Sequence, residues 1–174
     1  MESAAATLWE HAAEAAYTGA DYADAAEQAA QAGQLYRQGG DARAAARAQA
    51  IAGQALDRWG RHAQARDQLT AAVAVLRDHP STDTVRALGE LASLEVAAGS
   101  ASADALSAEA LALGQDLAVD EATLAELFTT RGNCHAAAGR NPQAAAITGR
   151  PPGWPGRPAT PSGWGARCST CPMW

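Results

Sequence analysis

The sequence predicts an all-α chain of about four antiparallel helix pairs, and three observations carry that expectation. Alanine fills 48 of 174 positions, so helix propensity is high, while the β-branched and aromatic residues that strands favour are few. Gly19, Gly60, Gly99 and Gly139 recur at intervals of 41, 39 and 40 residues. Each follows an Ala/Leu-rich segment of helical length and precedes a polar turn and a second such segment, as glycine does where a helix ends in a left-handed residue. The repeat therefore reads as helix, turn, helix, about every 40 residues.

Taken in order, the first pair (about 4–40) has a helix over 4–18, the turn Gly19-Ala20-Asp21 and a helix from Tyr22 to Gln38, broken by Gly39-Gly40-Asp41. The second (41–80) runs from Ala42 to Trp59, turns at Gly60-Arg61 and returns from His62 to Arg77. There Asp78-His79-Pro80 stops it, and Ser81, Thr82 and Asp83 offer fresh N-caps. The third (81–119) pairs Thr84–Ala98 with Ala103–Leu117. The fourth (120–148) starts near Asp120, passes Gly139-Arg140-Asn141 and begins a return helix at Pro142 that stops by Thr148.

Residues 149–174 differ from everything before them, with five Gly, six Pro, three Trp, three Arg, two Cys and no acidic residue. No helical or strand period continues there, so the segment is expected to be a disordered tail. The repeat stops inside a helix, where composition changes abruptly to residues that high-GC DNA yields when read out of frame. A frameshift origin for the tail is a second expectation.

All thirteen basic residues are Arg, and the formal net charge is −6, which argues against a nucleic-acid binder, since phosphate neutralisation needs a dense positive surface. The charges come in blocks: six acidic residues and no Arg over 1–35, eight Arg against five Asp over 36–86, then eight acidic residues and no Arg over 87–126. A basic middle between acidic flanks leaves head-to-tail self-association open. With no signal-like start and no apolar run of spanning length, the expected compartment is the cytoplasm, away from membranes. Three cysteines, Cys134, Cys168 and Cys171, do not resemble a secreted disulfide framework.

Within this frame the residues resemble tetratricopeptide repeats, whose helix pairs carry a large residue early in the first helix, a small one at its middle, a turn, and an alanine early in the second. Trp9, Ala13, Tyr22 and Ala25 take these parts in the first pair. Gly53, Leu56, Gly60, Ala65, Leu69 and Ala72 take them in the second, Leu88, Ala92, Gly99 and Ala105 in the third, and Phe128, Gly132, Gly139 and Ala144 in the fourth. The period of about 40 exceeds the family's usual 34, and no proline closes each unit. The longer helices are similar to the repeat arrays C-terminal to bacterial signalling ATPases, nucleotide cyclases and transcriptional regulators.

The resemblance implies a right-handed α-solenoid over 1–148 whose first helices line a groove for a protein or peptide partner. Carried over by position, the groove residues are Glu10, Glu14 and Tyr17, then Arg47, Gln54 and Asp57, then Arg86 and Ser93, then Asn133. Solvated surface is the competing reading for each of them. A regulatory scaffold is the expected function, with a non-functional remnant of a longer array as the alternative and a small-molecule enzyme ranked third.

No catalytic set, cofactor or metal site is expected. A chain without Lys has no phosphate-binding Gly loop ending in Lys. His11, His62, His79 and His135 lie on different units, and His62 is expected to pack where the family often has an aromatic. Cys168-Ser-Thr-Cys171 has the spacing of half a zinc site, but Cys134 and His135 are adjacent on a helix, about 100° apart, and do not easily complete it.

Overall fold

The computed structural model describes residues 2–140 together with Gln143 and Ala146. Seven helices are delimited among the described residues: α1 (Glu2–Thr18), α2 (Tyr22–Gln38), α3 (Ala42–Arg58), α4 (His62–Leu76), α5 (Thr82–Ala97), α6 (Ser102–Asp116) and α7 (Glu121–Ala137). The fold is all-α, with no strand among the described residues, and no helix there is long and apolar enough to cross a membrane. Gln143 and Ala146, inside the expected eighth helix, are helical and exposed. The rest of that helix with Ala144, the 149–174 tail with its expected disorder and frameshift origin, and Cys168 and Cys171 lie outside the described residues.

Each helix packs on the next in the chain, and the first helices of the pairs also meet one another: α1 with α3, α3 with α5, α5 with α7. The packing changes character along the chain. Between α1, α2 and α3 the contacts are alanine on alanine, with Ala13, Ala25, Ala29, Ala32, Ala48 and Ala55 fully excluded from solvent. Small side chains let these helices approach closely. From α4 onward Leu69, Val73, Leu76, Val85 and Leu88 build a larger core. At the α3–α4 crossing Gly53 faces Leu69: a Cβ on Gly53 would sit 2.7 Å from Leu69 Cγ. Ala65, Leu69 and Ala72, placed in the core by the repeat pattern, are all fully buried.

Two core assignments differ. Trp9 is 44% exposed rather than locked inside the first pair. Ala105 faces solvent, while Ala103, Ser107 and Ala110 form the buried face of α6. The polar segment Gly99-Ser100-Ala101-Ser102 shifts the register of α6 from that of α4, so counting from the glycine selects the wrong alanine.

Six helix ends share one device. A backbone bond runs from the residue after a left-handed position to the carbonyl five residues back: Asp21 to Ala16, Asp41 to Tyr36, Arg61 to Leu56, Ser100 to Glu95, Val119 to Gly114 and Arg140 to His135, at 2.8–3.1 Å. This closes the helix by satisfying a terminal carbonyl that would otherwise lack a partner. Asp21, Asp41 and Asp120 then cap the next helix, accepting the N–H of Asp24, Ala44 and Thr123.

The left-handed residue is glycine at 40, 60, 99 and 139, but Ala20 (φ 62°) and Ala118 (φ 49°) in the other two turns. The first turn thus departs from the expected pattern, with Ala20 rather than Gly19 in the left-handed position. A Cβ in this region crowds the following carbonyl. Ala20→Gly and Ala118→Gly are therefore each expected to stabilise the chain by about 1 kcal/mol, read as a higher denaturant midpoint at unchanged slope.

The α4–α5 junction is built differently. Asp78-His79-Pro80 separates the helices, and the fully buried Thr84 joins them. Its hydroxyl accepts the Ser81 N–H at 3.1 Å and donates to the Leu76 carbonyl at 3.2 Å, tying the end of one helix to the start of the next.

Ion pairs cross helices in the same chain. Arg47 of α3 binds Glu10 of α1, Arg66 of α4 binds Glu95 of α5, Arg77 of α4 binds Glu109 of α6, and Arg131 of α7 and Arg140 bind Asp104 of α6. Three of the eight Arg of the basic middle thus pair with the acidic flanks within one molecule.

Candidate functional site: a polar groove across the first helices

A groove of about 720 Å³ runs across α1, α3, α5 and α7, with no lining residue from the second helices of the pairs. It arises because first helices stack on first helices, so residues repeating three or four apart on each form a continuous strip. Five of the nine residues carried over by position line it: Tyr17, Gln54, Arg86, Ser93 and Asn133.

The other four lie elsewhere. Glu14 is exposed on α1 outside the lining. Asp57 sits beside the groove with its carboxylate 2.7 Å from His62 Nδ1, and His62 is exposed rather than packed. Glu10 and Arg47 require correction, because they face each other instead of the groove. Glu10 is only 5% exposed and accepts from Tyr36 Oη at 2.7 Å, Arg47 Nε at 2.5 Å and Arg47 Nη2 at 2.8 Å. Burial works to raise the Glu10 pKa, but the bonds from Arg47 and Tyr36 and the Arg47 charge outweigh it, and the carboxyl sits below its ordinary range.

The groove also holds residues that the repeat pattern does not select: Arg58, Glu90 and Glu126, with Thr129 and Thr130. Helical spacing could have found them, since Arg58 follows Gln54 by four, and Glu90 follows Arg86 by four and precedes Ser93 by three. Arg58 Nε donates to Tyr17 Oη at 3.3 Å, joining α3 to α1 at the rim. Tyr17 in turn meets Tyr22 edge-on, centroids 5.6 Å apart.

At the α7 end, Leu127 is a buried knob between two glycines. A Cβ on Gly89 of α5 or on Gly114 of α6 would come within 2.9 Å of its methyl groups. That close seat brings α7 against α5 and so sets the groove's width there.

Glu90 lies in the lining of the groove with Arg58, Arg86 and Glu126. It is half-buried, and no described residue forms a hydrogen bond or ion pair with it. Burial pushes its carboxyl up, Arg58 opposes this, and the Asp57 and Glu126 carboxylates add to the rise. A raised folded pKa means that ionised Glu90 costs stability above that pKa, and that this cost vanishes below the unfolded value, where both states are protonated. Glu90→Gln should therefore stabilise the chain at pH 7 by at most about 1 kcal/mol, with the gain gone below about pH 4. Denaturant melts at the two pH values check this.

A second polar cluster lies between α6 and α7. Asp104 takes bonds from Arg131 (2.8 Å), Arg140 (2.7 Å) and the Cys134 thiol (3.6 Å). Burial and the two guanidinium charges hold His135 below its usual pKa range, and its Nδ1 accepts from Arg140 Nε at 2.9 Å. Arg131 and Cys134 thereby fasten α7 to α6, and Arg140 ties the turn after α7 to the same Asp104.

No protein-family profile and no curated protein matches this sequence. Among solved structures, the crystal structure of BtubC (BKLC) from P. vanneervenii superposes with a TM-score of 0.73 at 19% sequence identity. The match covers 83% of this chain and 61% of BtubC, so the chain spans under two thirds of that protein's length. At that identity the likeness establishes a shared helical fold and nothing about activity.

Proposed function

We propose that the chain is a tetratricopeptide-like scaffold that holds a peptide or helix of a partner protein in the groove across α1, α3, α5 and α7. The observation that supports this reading is the convergence of Tyr17, Gln54, Arg86, Ser93 and Asn133, taken from four separate helices, on one groove of about 720 Å³. Two further features fit it. The groove mixes hydrogen-bonding side chains with an aromatic rim, and it keeps a carboxylate, Glu90, without a partner among the described residues at a cost in stability. Stability given up at a polar position is a common mark of a binding surface. A partner that places a basic side chain against Glu90 and Glu126 would remove that cost. A cytoplasmic regulatory role of the kind served by bacterial signalling arrays is part of the same proposal.

The test is quantitative capture of a cellular partner by the wild-type chain and by Ser93→Arg, which fills the groove from its lining without touching the core. The reading expects a saturable partner whose binding falls at least about tenfold in the variant, a loss of about 1.4 kcal/mol. Equal capture by both proteins would contradict it.

A further inference from the structure

A second groove of about 450 Å³, sharing no lining residue with the first, lies between α2 and α4. Its floor is apolar, formed by Ala26, Ala30, Ala52 and Leu56, and Trp59 stands at its edge, 47% exposed, with the Arg61 guanidinium 4.8 Å from its ring centroid. The charged residues of its lining are Asp24, Glu27 and Asp67, with Arg61 beside it on the Trp59 ring. Among the described residues none of these three carboxylates forms an ion pair. Asp24 and Glu27 also border a smaller cleft beside Trp9, itself 44% exposed, so the acidic ridge of α2 has a half-exposed tryptophan on either side. This surface matches a cationic segment with apolar rings.

The chain contains such a segment. Residues 149–174 hold Arg150, Arg157 and Arg167, three Trp, six Pro and no acidic residue. We propose that this C-terminal segment docks in the α2–α4 groove of its own molecule, with Arg side chains against Asp24, Glu27 and Asp67 and Trp or Pro rings on the alanine floor beside Trp59. The reach is sufficient. The 28 residues after Ala146 span up to roughly 85 Å when extended, whereas neighbouring packed helices lie only about 10 Å apart. Prolines limit the freedom lost on docking, and guanidinium groups pair with carboxylates while stacking on aromatic faces. The two grooves share no lining residue, so this docking leaves the first-helix groove open to a partner.

The experiment uses the full chain with a nitroxide on Cys168 and Cys171, since Cys134 is buried, and reads paramagnetic broadening of the Trp59 indole and the Ala26 and Ala30 methyl signals. Broadening of at least about twofold is expected there, lost in the Asp24→Asn/Glu27→Gln/Asp67→Asn variant and unchanged when labelled chain is diluted into unlabelled chain. Three results would each overturn the proposal: no broadening at these signals, broadening that persists in the triple variant, or broadening that disappears on dilution and so comes from a second copy.

Discussion

Replacing Leu69 by alanine should cost about 3–4 kcal/mol, because the side chain is fully buried at the α3–α4 crossing and its loss leaves a cavity that two packed helices close only in part. The same site makes a second, more discriminating demand. In the wild-type chain Gly53→Ala should cost about 1–3 kcal/mol through overpacking, since its new methyl would lie 2.7 Å from Leu69 Cγ. In the Leu69→Ala background that clash is gone, and alanine regains about 1 kcal/mol of helix propensity over glycine, so Gly53→Ala should there be neutral or stabilising. A double-mutant cycle read by denaturant unfolding tests the pairing. Additive costs would mean that the two residues do not pack as described.

Arg47→Ala is expected to cost about 2–3 kcal/mol, because it leaves Glu10 charged, buried and held by Tyr36 alone. The cost is below that for a fully enclosed pair because the Arg47 side chain is 38% exposed and partly screened. Replacing both partners, as in Glu10→Gln/Arg47→Met, should recover most of the loss, since the introduced amide would still accept from Tyr36 and no charge would remain unpaired. The pH dependence has a definite sign. Glu10 is held below its ordinary value of 4.5 in the folded state, so its contribution is complete above that value and is lost as pH falls through the lower folded pKa. The double variant should lose less stability than wild type over that acid window. Acid titrations of both proteins, followed by helical circular dichroism, check this.

The architecture was legible because it rests on local signals. Left-handed glycines close four of the described helices and aspartates cap the start of three, and alanine fills the faces between such breaks, so the seven described helices begin and end within two residues of their expected limits. In two of the six equivalent turns the left-handed residue is Ala20 or Ala118, and the sequence does not single it out, because an alanine in a left-handed turn looks like any other alanine. The groove was half legible. Tyr17, Gln54, Arg86, Ser93 and Asn133 follow from stacking first helices at a regular spacing. Glu10 and Arg47 carry the same spacing and yet turn toward each other, pairing across α1 and α3 with Tyr36 of α2 as a third partner. That is a property of two residues 37 positions apart on different helices, and no single helix displays it. Glu90 escapes notice for a related reason: a glutamate four residues after an arginine reads as a surface pair, whereas here burial pushes its carboxyl up, with Arg58 opposing and Asp57 and Glu126 adding to the rise.

The binding role of the first-helix groove is tested most directly by site-specific photocrosslinking in cells, with a benzophenone side chain at Gln54 in the groove or, as a control, at the exposed Thr70 on α4. The account expects a discrete crosslinked protein from position 54, lost on adding Ser93→Arg, and none of that species from position 70. The same crosslinks from both positions, or none from position 54 that Ser93→Arg removes, would contradict a partner-binding role for this groove.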